Sequence, residues 1–254
     1  MFSRKALSKW EPLRGIALVL TMAALATSSA AAEDSVDVQH WHNLFVQGRM
    51  TAPSSSSSDA PASPAKSPAL FYLELQPRLS FGEGRPDVAL LRGALGYELA
   101  PGLSLWAGAA AIPRFDAPDW RVNETRVFQQ LMLVDKLGPV ALMLRARLEQ
   151  RTFENAPELA LRARAMLRAV YTLPIGNGDW GVVAFDEPFV GLLGPAQRVG
   201  FDQNRAFVGV LHKLTPWASV EGGYLWVYLR QPGLDGDSSR HLHALLVQTI
   251  FNLI

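Results

Sequence analysis

No cysteine occurs in the 254 residues. Disulfide staples and thiolate metal sites are therefore excluded, while the compartment stays open, because an exported chain needs neither. Lysine is scarce too: after residue 32 only Lys66, Lys136 and Lys213 remain. The other cations there are arginines, which suit rigid, hydrogen-bonded pairing better than free solvation. Missing as well are H-E-x-x-H, G-x-S-x-G, Walker and dinucleotide fingerprints. The glycines stand singly at turns and on strand faces and build no phosphate cradle. No cofactor and no metal is expected on these grounds.

A long apolar run is also absent. GIALVLTMAALA (15–26) is the longest one near the N-terminus, and it falls short of the roughly 20 residues a membrane helix takes. It follows a basic stretch, Arg4, Lys5, Lys9 and Arg14, and precedes the small residues of SSAAAED. This is the pattern of a cleaved signal peptide over 1–32, with Glu33 as the first mature residue. The whole chain carries 24 basic and 23 acidic residues. Residues 1–32 hold four of the former and, as Glu11, one of the latter, so the mature chain has 20 against 22, a net of −2. A balance this even speaks against nucleic acid as a partner.

What remains reads as one domain over 33–254, interrupted by a Pro/Ser-rich loop at 50–69. The rest of the chain alternates with a period of two. LFYLELQPRLSF places Phe71, Leu73, Leu75 and Leu79 on one face, and Tyr72, Glu74, Gln76 and Arg78 on the other. ALMLRARLEQR (141–151) splits in the same way. Leu142, Leu144, Ala146 and Leu148 oppose Arg145, Arg147, Glu149 and Arg151, with Met143 on the charged side. Residues 159–170 set Leu159, Leu161, Ala163, Ala165 and Leu167 against Arg162, Arg164 and Arg168. An amphipathic helix competes for these last two segments, since Ala, Leu, Arg and Glu are good helix formers. About eleven strand candidates are visible, many of ten residues or more.

Three architectures use such strands. A β-sandwich buries the leucine faces together. A soluble barrel turns them inward around a ligand. A transmembrane barrel turns them outward to lipid and lines its interior with Arg, Glu and Gln. Strand length favours the third, because a tilted span takes about 9 to 11 residues, and closure satisfies every backbone group in lipid. The expected fold is thus all-β, a closed antiparallel up-and-down barrel of 10–12 strands, even-numbered in the ordinary bacterial manner. Trp41, Trp106, Trp180 and Trp217, near strand ends, are candidates for interfacial belts or for plain core positions.

The charge-bearing face supplies the candidate site. Glu74, Gln76, Arg78, Glu124, Arg126, Gln130, Arg145, Arg147, Glu149, Arg151, Arg162, Arg164 and Arg168 form a ladder of paired charges if neighbouring strands register. Such a ladder either stiffens the interior or attracts anions. No catalytic group stands out. Asp186, Glu187 and His212 are rim candidates for lipid hydrolysis or transfer, and His241 with His243 is a possible metal pair lacking a third ligand.

The fragments LELQPRLSF, LRGALGYEL, LSLWAGAA, ETRVFQQL, LRARLEQR, FDEPFVGL, FDQNRAFVGV, EGGYLWVY and RHLHALLVQ, in that order, resemble the bacterial domain-of-unknown-function family 2490 (DUF2490). The resemblance spans roughly 41–253. It implies an exported outer-membrane barrel of a Gram-negative bacterium, with outer-membrane lipid and the export and barrel-insertion machinery as partners and no established activity. On that pattern Glu124, Arg126, Gln129 and Gln130 match one element, Asn204 and Arg205 another, and His243 the histidine near the end. A structural or small anion-preferring channel role follows as the expectation. A lipid-modifying enzyme and a soluble periplasmic binding barrel are the alternatives.

Overall fold

The computed structural model describes residues 34–50, 67–80, 86–114, 121–154, 156–194, 199–233 and 236–253. The expected signal peptide and most of the Pro/Ser-rich loop lie outside these residues. Eleven strands are described: β1 (Asp34–Arg49), β2 (Ala69–Ser80), β3 (Pro86–Ala100), β4 (Leu103–Arg114), β5 (Arg121–Leu137), β6 (Val140–Phe153), β7 (Ala156–Thr172), β8 (Trp180–Leu193), β9 (Gly200–Thr215), β10 (Ala218–Gly233) and β11 (Gly236–Leu253). The segments 141–151 and 159–170 are strands, so the helical alternative is set aside.

Each strand pairs antiparallel with the next in sequence, and β1 closes the barrel on β11. The closing pair is parallel, in unbroken register from Asp34↔Ser239 to Gly48↔Leu253. The even strand count expected of an ordinary bacterial barrel is therefore overturned among the described residues. With an odd number of up-and-down strands the first and last must run the same way, and a parallel ladder satisfies the edge groups nearly as well as an antiparallel one.

Tight connections at 101–102, 138–139 and 216–217 gather at one end, together with 173–179 and the end of β11. Gly102 and Gly138 take φ of 79° and 61° there, a left-handed conformation that glycine adopts without a Cβ penalty. At the same end Met50 N donates to Ala69 O at 2.9 Å, pinning the base of the β1–β2 connection.

Alternation sorts the side chains. Leu73, Leu95, Val127, Leu131, Leu144, Leu167 and Leu245 point outward, and Leu95 is 61 % exposed. The fully buried side chains of the barrel interior include Phe128, Phe189, Glu149 and Glu221. Apolar outside and charged inside is the inverse of a soluble barrel. Trp180 and Trp217 are exposed near the short-turn end, stacked on His212 and Phe251. Trp41 and Trp106 sit inside, 3 % and 5 % exposed, so the core reading applies to these two, and Trp180 and Trp217 are left as the belt candidates.

Candidate functional site

Adjacent strands bring the charged faces into register across the lumen. β5 sets Arg126 opposite Arg151, and β6 sets Arg147 opposite Arg164 and Glu149 opposite Arg162. Stacking arginines this closely requires carboxylates between them, and Glu149 is the hub. Its Oε2 accepts from Arg162 Nη2 at 2.8 Å, and its Oε1 lies 3.3 Å from Arg164 Nε and 3.8 Å from Arg147 Nη1. Glu124 accepts from both Arg126 (2.7 Å) and Arg151 (2.5 Å). Arg92 pairs with Glu74 at 2.6 Å, and Arg145 with Glu187 at 2.7 Å. Arg168 pairs with Glu221, which also accepts from Gln248 at 3.0 Å.

Several guanidiniums donate their hydrogen bonds to neutral partners. Arg147 donates to Gln130 Oε1 (2.9 Å) and Tyr72 Oη (3.0 Å) and lies 4.1 Å above the Phe128 ring. Arg78 donates to Gln76 Oε1 at 2.8 Å and covers the Trp41 ring at 3.9 Å. Arg205 meets Gln203, whose amide oxygen accepts from its Nε at 2.6 Å, and packs over the Trp41 and Phe189 rings. Among the described residues no carboxylate lies within 4 Å of Arg78 or Arg205. Cation–π contact and amide oxygens replace part of the lost hydration, but they bring no negative charge.

All thirteen residues expected in the ladder face the lumen. Of the further family-pattern residues only Arg205 does. Gln129 points outward and exchanges hydrogen bonds with Gln150, Asn204 donates outward to Asp186 at 2.9 Å, and His243 contacts the hydroxyl of exposed Tyr224. Sequence reasoning missed Arg92, which shares its β3 face with small and apolar residues and only Glu98, and Glu221, the single charge on its β10 face. Glu187, expected only as a rim acid, has its side chain 4 % exposed inside the barrel. The hydrolase candidates are not brought together. Asp186 is outside, Glu187 inside, and His212 is beside Trp180 near the short turns. Among the described residues no group of three His, Asp or Glu side chains is arranged to hold a metal.

Beside the charged layer lies a cavity of about 350 Å³. Arg92, Arg145, Arg147, Arg164 and Arg205 line its inner part, and Met132, Met143, Leu211 and Ile250 line it toward the short-turn end. The layer itself leaves little room for water. The side chains of Arg147, Glu149, Arg162 and Arg164 are between 0 and 4 % exposed.

An inside-out barrel packed with paired charges defines the class. The chain belongs to the family described as protein of unknown function DUF2490, whose model matches residues 38–237. It is 30 % identical over 212 residues to an uncharacterised protein of Methylorubrum extorquens, covering 82 % of this chain and 86 % of that one. Among solved structures it is similar to OmpT, expressed in the outer membrane of Vibrio cholerae. There the TM-score is 0.37 at 13 % identity, over 68 % of this chain and 59 % of that one.

Proposed function

We propose that the mature protein, a single domain over 33–254, is an outer-membrane β-barrel with a structural role and a lumen closed to ions. It reaches the membrane through export and barrel-insertion machinery and meets lipid with its leucine face. The outward leucines and valines of nearly every strand support the location. The observation that carries the closed lumen is Glu149, fully buried among Arg162, Arg164 and Arg147 at mid-barrel. Charges held this way are cross-braces between strands. An ion crossing the layer has to break pairs that exclude water.

A small anion-preferring leak is the second reading, favoured by the excess of lumenal arginine over glutamate and by Arg78 and Arg205 in particular. Planar-bilayer recording of the purified barrel separates the two. Absence of unitary steps above the bilayer background is expected. Discrete steps with a reversal potential favouring chloride over potassium would put the channel reading first. Fractionation tests the location: the protein should pellet with outer membranes and need detergent to leave them, and free solubility in the periplasm would overturn it.

A further inference from the structure

The cavity on the short-turn side of the charged layer shares three bracing pairs with it, Arg92–Glu74, Arg145–Glu187 and Arg168–Glu221, and is not uniform in character. Its inner wall carries Arg147 and Arg205, the first bound to Gln130 and Tyr72 oxygens, the second to Gln203 and two aromatic rings. Arg147 Nη1 and Arg164 Nη2, on side chains only 1 % and 2 % exposed, have no hydrogen-bond acceptor among the described residues. With Glu74 and Glu187 taken up by Arg92 and Arg145, the arginines Arg147, Arg164 and Arg205 leave positive charge in excess at the inner end, with donor capacity to spare.

The outer part differs. Register places Met132, Met143 and Leu211 nearer the short turns than Gln130, Arg147 and Arg205. With Leu225, Leu246 and Ile250 they give the cavity an apolar flank. Polar groups also reach this part and pair with one another: Arg168 opposite Met143 with Glu221 opposite Leu211, Asn43 Nδ2 donating to Gln248 (3.0 Å) and Gln47 to Asn252 (2.7 Å), while Asn43 Oδ1 has no donor among the described residues. Gln47 and Asn252 also mark where the cavity approaches the strand ends.

We infer that this cavity is a binding site for an amphiphilic anion: a carboxylate or phosphate head against Arg147 and Arg205, and a single apolar tail along the methionine and leucine flank. Guanidinium presents paired donors to either head group. At about 350 Å³ the space sits near the lower bound of ligand pockets, roughly 300–1,000 Å³, so one medium-length chain fills it. The site rests on the barrel and its lumen geometry and does not require that the lumen be non-conducting.

The test is native mass spectrometry of the full mature barrel, released from an uncharged detergent, with dodecyl phosphate, dodecanol and inorganic phosphate as probes. One dodecyl phosphate should be retained per barrel, with dodecanol and inorganic phosphate each at least tenfold weaker. Equal retention of dodecanol overturns the anion site, and equal retention of inorganic phosphate overturns the amphiphile. Arg205→Gln leaves no carboxylate without its partner, so the variant should fold, as heat-dependent gel mobility checks, and should bind at least tenfold more weakly. Ile250→Trp, which fills the outer part, should do the same. Unchanged binding in both folded variants overturns the assignment. Conductance of the same preparations is a separate readout: a conducting barrel that retains the probe sinks only the closed-lumen reading, and a silent barrel that ignores it sinks only this one.

Discussion

Glu149 Oε2 accepts from Arg162 Nη2 at 2.8 Å across the β6–β7 pair, and no part of the Glu149 side chain is exposed. One carboxylate therefore offsets several guanidiniums that water does not reach. Glu149→Gln keeps the shape and removes the charge, leaving Arg162, Arg164 and Arg147 facing one another. Removing one member of a buried pair costs about 3–5 kcal/mol. The expected result is a barrel that loses its heat-resistant, fast-migrating gel form at a markedly lower temperature than wild type. An unchanged transition would mean that the layer is hydrated and the bracing slight.

Phe128 fills the lumen between Tyr72 and Arg147 because the facing position on β4 is Gly108. A Cβ at Gly108 would stand 2.5 Å from the Phe128 ring and 2.4 Å from the Gly93 carbonyl oxygen. Gly108→Ala should therefore overpack this level, at about 1–3 kcal/mol. Phe128→Leu in the same chain should recover part of the loss, read by urea unfolding of the vesicle-inserted barrel. The absence of any recovery would locate the strain in the approach to the Gly93 carbonyl and the Ala94 methyl, 2.7 Å from the added Cβ.

Leu131 points outward from the middle of β5, between Leu105 and Ala146 in register. Leu131→Arg should cost about 2–4 kcal/mol if that face meets the lipid midplane. On a water-exposed face the same change should be neutral or helpful. Folding yield into phospholipid vesicles separates these outcomes and tests membrane residence independently of fractionation.

Much of this was legible in the residues. Arg145, Arg147, Glu149 and Arg151 announced a charged face by strict alternation, and closure turned that face inward together with Glu74, Glu124 and Arg162. Alternation cannot say which face is inside. Only the surrounding solvent and the closure decide, and that is why sandwich, soluble barrel and membrane barrel all remained open. Parity also fails at irregularities. Phe201 and Gln203 share a parity, yet Phe201 is 39 % exposed and Gln203 4 %, because the register shifts between Phe189↔Gln203 and Val190↔Phe201. A bulge of this type re-aims side chains without any residue announcing it. Family patterns carry no face information either: Gln129 and Gln130 are adjacent, so one of them had to point outward. The parallel seam was hidden for a different reason, since nothing local in β1 or β11 encodes the direction of a neighbour some 200 residues away.

That seam yields the last prediction. Leu44 of β1 and Thr249 of β11 are partners in the parallel register, both on the outward face. Paired strands lie about 4.8 Å apart, inside the Cα separation of roughly 4.4–6.8 Å that a disulfide bridges. The chain has no cysteine of its own, so a Leu44→Cys, Thr249→Cys double variant carries the only two thiols. Mild oxidation, or a short bifunctional thiol reagent, should link them within one chain and close a covalent ring around the barrel. The unfolded species should then migrate faster on a non-reducing gel and revert on reduction where a disulfide was formed. Shifting the second thiol to Gln248→Cys, which points into the lumen, should abolish the link although the sequence separation hardly changes. Linkage with Gln248→Cys but not with Thr249→Cys would mean that the register is slipped by one. No linkage with either would mean that β1 and β11 are not neighbours and that the barrel closes through a different edge.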